Sequence, residues 1–279
     1  MLTRIITGII GIPIALWILA SGGMVMQGFG VVLALIAMYE YFKAVERTYK
    51  PMKEVGMLSV GVFILGYQTC AANFQLYLAI IIVIMLSINV FYYPVYKISD
   101  IAITLFGILY VGLLLGLIIP IRELDNGLFW VVLVFICAWG SDTCAYFAGK
   151  FFGKRKLAPE LSPKKTVVGA VGGIVGAGIL SFLFAQGVMY YWSMDFSINW
   201  LIIITLVGCI GAMLSQIGDL AASSIKRSMD VKDFGSLFPG HGGVLDRFDS
   251  VILVTPLIYL VSHFYNYGMD FWWHYVNSF

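Results

Sequence analysis

KRSMDVKDFGSLFPGHGGVLDRFD, residues Lys226 to Asp249, gathers 8 of the chain's 32 charged residues, a histidine and four glycines into 24 of 279 positions. Most of the rest is oily. Hydrophobic residues make up 61%, charged residues 11%, and mean hydropathy is +0.93. A soluble domain carries about 25% charged residues. One water-soluble core cannot hide so much apolar surface, so the bilayer is the solvent of this chain. The stretch is then a polar island on a membrane scaffold. A net charge of +2 gives no bulk attraction to nucleic acid.

Outward from the island the apolar runs have membrane-spanning length, about 20 residues. Nine candidates fall at about 5–21, 25–42, 55–72, 75–93, 101–119, 127–148, 167–189, 199–222 and 250–267. Ser21-Gly22-Gly23, the segment 43–54, Pro94, Pro120 and Asp125-Asn126-Gly127 punctuate them. Trp130, Trp192, Trp200, Trp272 and Trp273 fall near span ends, as an aromatic belt would. With the N-terminus in the cytoplasm, 16 of the 17 Lys and Arg residues fall in inside segments and only Arg122 outside. That asymmetry is a positive-inside signal. The expected fold is an all-α polytopic membrane protein of about nine helices, N-terminus cytoplasmic and C-terminus outside, in the cell (inner, cytoplasmic) membrane. Its expected divisions are residues 1–98 (four helices), 99–126 (a fifth helix and connector, a candidate dimer contact) and 127–279, the catalytic region. The last carries cytoplasmic loops 149–166 and 223–249. Met1–Arg4 followed by Ile5–Ala20 resembles a signal peptide only superficially, because no clear A-x-A site follows.

An acid inside a lipid-embedded run costs at least ~2.5–3.5 kcal/mol. Glu40 sits beside Lys43 and reads at least as well as a solvated helix end. Asp142 and Asp219 each lie at the end of a late helix, just before charge. Asp219, Ser223, Lys226, Arg227 and Asp230 share one helical face. Asp246 and Asp249 share another where the last helix begins, a place the helix dipole also favours for acids. Hard carboxylate oxygens suit Mg²⁺, which binds through one or two carboxylates plus substrate phosphates. Lys and Arg neutralise phosphate. Gly240, Gly242 and Gly243 let backbone N–H groups approach an anion, and His241 between them can donate to phosphate. Together these parts describe phosphoryl or nucleotidyl transfer at a membrane surface, with a lipid as the expected substrate.

The block from Ser223 through Ile225-Lys226-Arg227, Lys232-Asp233, Gly235, Phe238-Pro239 and His241-Gly242-Gly243-Val244 to Asp246-Arg247-Phe248-Asp249 resembles the signature of the phosphatidate cytidylyltransferases, the CDP-diacylglycerol synthases. A second similar block covers Ser141-Asp142-Thr143 through Gly149-Lys150 and Ser162-Pro163-Lys164-Lys165-Thr166. Close resemblance spans roughly residues 138–250; the first four helices match only in being hydrophobic. The resemblance implies CTP plus phosphatidate giving CDP-diacylglycerol and pyrophosphate. It also implies a homodimer, Mg²⁺ and a second, monovalent cation such as K⁺. Carried over by position, Asp219, Asp246 and Asp249 are the metal set, with Lys226 and Arg227 beside them in catalysis. Ser223 and Lys232 join them in holding phosphates, and Asp142, Lys164 and Lys165 line the other side of the site. Asp233, His241, Gly242, Gly243, Arg247 and Thr166 complete the substrate-binding set.

One position departs. After Lys165-Thr166 the family commonly carries a Glu, and this chain reads Val167-Val168-Gly169. A polyprenol kinase using CTP would need similar parts, but the long signature favours the cytidylyltransferase. The D-G-x2-A-R pattern of CDP-alcohol phosphotransferases is absent. A transporter would place its charges near the midplane on broken helices. Cys70, Cys137, Cys144 and Cys209 read as small buried hydrophobes with no disulfide framework. Gly169-x-x-x-Gly173 and Gly172-x-x-x-Gly176 read as close helix packing.

Overall fold

The computed structural model describes residues 13–192, 197–237 and 242–268. His241, Arg4, Trp272 and Trp273 therefore lie outside the described residues. Among those described, seven helices are long and apolar enough to cross a membrane. The chain is a mostly helical, multi-pass membrane protein. It forms two compact units, Met1–Glu123 with Lys226–Phe248 and Leu124–Ile225 with Asp249–Phe279.

The first unit begins with helical residues 13–21 (α1), then Gly23–Val45 (α2), Lys53–Leu65 (α3), Tyr67–Ala72 (α4), Phe74–Phe91 (α5) and Ile98–Glu123 (α6). Its core is packed from α2 and α3: Met38, Tyr41, Phe42, Val45, Met52, Val60 and Ile64 are all buried. A Cβ on Gly56 would collide with the Phe42 ring, and one on Gly112 with Val60, so these glycines set the closeness of the helices. Asp100, in the first turn of α6, accepts N–H bonds from Lys97 (2.8 Å) and Lys50 (2.9 Å), tying the α2–α3 link to the start of α6. α6 carries a π-helical turn at Ile108–Leu113. On α5 only Ile81 and Met85 are fully buried, and most of its remaining apolar surface is exposed, as suits a helix whose solvent is lipid.

The expected span 55–72 is not one helix. It breaks at Gly66, leaving α3 with 13 residues and α4 with 6. The carbonyls of Ile64 and Leu65 lose helical partners there, and Gln27 Nε2 on α2 donates to both, at 3.1 and 3.0 Å. Arg122 donates to the carbonyls of Leu19 (2.6 Å) and Ala20 (2.9 Å), closing the end of α1.

The second unit contains Gly127–Phe152 (α7), strands Lys156–Ala158 (β1) and Ser162–Thr166 (β2), Val167–Trp192 (α8), most of Ile198–Ser228 (α9) and most of Leu245–Tyr267 (α10). The hairpin corrects the all-α expectation. β1 and β2 pair antiparallel, Lys156 opposite Thr166 and Ala158 opposite Ser162, with an irregularity between. α7 and α8 pack along a small-residue seam. Gly172 meets Ala148 and Gly176 meets Cys144 too closely for a Cβ, and Gly173 lies tight against Ser141. All four cysteines are unbridged. Trp130, expected in an interfacial belt, is instead fully buried and meets Tyr265 edge-on at 5.4 Å.

Three helices reach farther than apolar length suggests. α7 runs to Phe152, α9 to Ser228 and α10 starts at Leu245, so parts of the expected loops 149–166 and 223–249 are helical. Asp142 is not at a helix end. It follows directly on a π-helical turn, Ile136–Gly140, within α7. Such turns inside α-helices occur often at functional sites.

Candidate active site

α9 ends in a left-handed cap. Asp230 has φ +52°, its N–H bonds the Arg227 carbonyl at 3.2 Å, and the Val231 N–H bonds the Lys226 carbonyl at 2.9 Å. This is the Schellman arrangement. Asp230 therefore lies beyond the helix and off the face expected to join it to Asp219; Ser223, Lys226 and Arg227 remain on the helix.

In the first unit the polar residues converge on Asp246, in the first turn of α10. Its Oδ1 accepts from Lys226 Nζ at 2.7 Å. Its Oδ2 accepts the backbone N–H groups of Phe234 (2.9 Å), Gly243 (3.0 Å) and Gly235 (3.4 Å). The ion pair is buried, with side-chain exposures of 11% for Lys226 and 3% for Asp246. The ammonium also lies 5.2 Å from the Phe234 ring centroid. Gly242 supplies a φ of +85° where the chain turns into this cluster. Arg227, Lys232, Asp233 and Arg247 are exposed.

In the second unit a different pair forms. Lys165, on β2, meets the Asp219 carboxylate of α9, with side-chain exposures of 23% and 29%. Lys165 Nζ itself is shielded and makes no conventional hydrogen bond. Gly218 lies directly under the α10 backbone, where a Cβ would meet the Asp249 carbonyl at 2.6 Å. Asp219 and Asp249 therefore flank one helix crossing. Asp249 is buried, and its Oδ1 accepts the Ser250 N–H at 2.7 Å. Thr166 is buried at the start of α8, where its Oγ1 accepts the Gly169 N–H at 3.1 Å. It is a helix cap wedged against Gly149 and Gly153. Asp142 and Lys164 are exposed, and Ser223 is half-buried.

A carboxylate offers about four acceptor positions. As it stands, Asp246 accepts one ammonium at Oδ1 and three N–H groups at Oδ2. Asp219 has one charged partner and partial exposure. No three Asp, Glu, His or Cys side chains converge among the described residues. This donor set fits a cation held by one carboxylate together with ligand phosphates. It does not fit a cage closed by protein groups, nor a cation on Asp246 as that side chain now sits.

Sequence reasoning missed Glu40. It is not a solvated helix end but is 5% exposed, and its Oε2 accepts the Leu245 N–H at 2.9 Å across 205 residues of sequence. The available signal was the cost of an acid in an apolar run, which marks such a residue as functional by default.

A helical membrane scaffold with lysine–aspartate pairs and glycine turns near the ends of its late helices defines a class: membrane proteins that handle phosphate-bearing groups. The chain belongs to the cytidylyltransferase family, whose sequence model matches residues 2–265. It is 35% identical over 266 residues to a phosphatidate cytidylyltransferase of Staphylococcus aureus (strain COL), covering 92% of this chain and 97% of that one. To the protein of the same name in Staphylococcus haemolyticus (strain JCSC1435) it is 36% identical over 271 residues, covering 92% and 97%. The Bacillus subtilis (strain 168) phosphatidate cytidylyltransferase is 32% identical over 268 residues, covering 92% and 96%.

Proposed function

We propose that the chain transfers CMP from CTP to phosphatidate, giving CDP-diacylglycerol and pyrophosphate for phospholipid synthesis, at the cytoplasmic face of the cell membrane. The observation that carries the chemistry is the Lys165–Asp219 pair. It joins the end of β2 to α9, is about a quarter exposed on each side, and is held by a single mutual contact that a ligand phosphate can exchange.

The phosphatidate phosphate is already an anionic nucleophile, so no strong base is required. One of its oxygens bonds to the α-phosphorus of CTP. The bond from that phosphorus to the bridging oxygen of the β-phosphate breaks, and pyrophosphate leaves with the electron pair. Two anions must meet, so the protein's work is neutralisation and alignment. Lys165, with donor capacity beyond its one carboxylate, neutralises phosphate oxygens, and exposed Lys164 adds charge beside it. Ser223, Arg227 and Lys232 keep the phosphate-holding roles that the signature implies. Asp219, with Asp249 at the same helix crossing, would hold Mg²⁺; when bound, such an ion neutralises charge on the leaving pyrophosphate.

The decisive assay uses purified protein with CTP and phosphatidate in mixed micelles. Pyrophosphate and CDP-diacylglycerol should appear together, and only with both substrates. Release of CDP with a phosphorylated lipid would make it a lipid kinase instead. The nine-crossing orientation rests on the 16-to-1 division of positive charge. A cysteine placed in 43–54 or 149–160 should resist impermeant thiol reagents in intact cells, and one in 187–197 should label. Equal labelling of all three would overturn the orientation.

A further inference from the structure

The signature segment Lys226–Phe248 packs as one unit with the N-terminal helices, Met1–Glu123. α2 supplies the connection. Glu40 Oε2 accepts the Leu245 N–H at 2.9 Å. A Cβ on Gly235 or Gly243 would fall inside the Glu40 carboxylate, so both glycines close directly on it. Just past the end of α2, Arg47 donates to the Asp230 carbonyl at 2.9 Å. The helix and its extension thus touch the signature backbone at both ends. The three N–H groups that hold Asp246 belong to Phe234, Gly235 and Gly243, and Glu40 abuts the last two.

We propose that Glu40 is a positioning residue. Its buried carboxylate sets the backbone at Gly235, Gly243 and Leu245 so that the N–H groups there fix Asp246, and through Asp246 the Lys226 side chain. The glycines at 235 and 243 exist to admit that carboxylate. The inference rests on the reading of this unit as part of a cytidylyltransferase. A hydrogen bond to a charged acceptor is strong, and a buried donor left unmade is costly. Gln at position 40 can still accept the Leu245 N–H; Ala cannot.

The test is a double-mutant cycle on the full-length protein in detergent or nanodiscs, with three readouts: kcat and KM for CTP, melting temperature, and hydrogen exchange at 234–235 and 242–245. Glu40→Ala should raise exchange in those peptides and lower kcat, each at least about tenfold, while α8 peptides and the melting temperature stay near wild type. Glu40→Gln should recover kcat to within about threefold. Gly235→Ala should be damaging alone, because its Cβ displaces Glu40, and should add almost nothing in the Glu40→Ala background. Equal cost of Gly235→Ala in both backgrounds overturns the proposal. So does unchanged exchange in Glu40→Ala, or raised exchange with unchanged kcat. Should wild type make no CDP-diacylglycerol, the functional reading fails, and the exchange arm alone then decides whether Glu40 holds the loop.

Discussion

Two lysine–aspartate pairs among the described residues share one chemistry and differ in circumstance. Lys226–Asp246, in the first unit, is buried at 11% and 3% exposure, and its carboxylate is saturated by backbone N–H groups. Lys165–Asp219, in the second, is about a quarter exposed on each side. Burial and saturation make the first pair expensive to disturb, because a lone charge left behind in a dry site is heavily penalised. Partial exposure makes the second cheap to open, because water screens it and partners can exchange. On the proposed function, the two pairs divide the labour: Lys226–Asp246 fixes a loop, and Lys165–Asp219 meets substrate charge.

The largest effect expected from this contrast is at Lys226. Lys226→Met should strand the Asp246 carboxylate and cost about 3–5 kcal/mol of stability, read as a lowered melting temperature in detergent. If Lys226→Met melts like wild type, the first pair is not structural. Next comes Lys165→Met, which keeps the length and removes the charge. It should cost about 100-fold in turnover, near 2.7 kcal/mol, with melting almost unchanged. A melting loss matching that of Lys226→Met would erase the distinction between the pairs. The smallest effect is at Val168, where a Glu is common in the family. Its side chain is 39% exposed at the start of α8, so a Glu can reach water there without displacing packing. Val168→Glu should leave turnover within about twofold, because an acid in the first turn is also mildly favoured by the helix dipole. A collapse of activity would mean that the strip faces apolar surroundings in the assembled enzyme.

Much of this was legible in the sequence for simple reasons. Apolar length identifies spans, so all seven long helices among the described residues fall where hydropathy places them. The break at Gly66 was hidden because one glycine in an apolar run looks harmless, and its compensation comes from Gln27, 38 residues away from Leu65. The hairpin was hidden because KLAPELSPKKT alternates poorly and carries two prolines. Apolar length ends α9 at 222, where charge begins, but the helix continues to Ser228. A helix does not end where lipid does: 31 residues reach about 46 Å, well beyond a hydrocarbon core of about 30 Å. At the site, spacing and resemblance picked out Asp219, Lys165, Lys226 and Asp246. Their pairing depends on tertiary contacts that no local pattern encodes; Glu40 reads as a solvated helix end beside Lys43, and its partner, Leu245, lies 205 residues away.

The most direct test of the divided roles compares Asp219→Asn with Asp246→Asn in one preparation, measuring melting temperature and CDP-diacylglycerol turnover for each. Asp219→Asn should lose at least about 100-fold in turnover with melting near wild type. Asp246→Asn should lower melting by several degrees as its ion pair and backbone anchors fail, with turnover falling alongside. Both variants melting normally while losing turnover equally would contradict the account, and would make Asp246 a partner of Asp219 in the chemistry rather than the anchor of the loop.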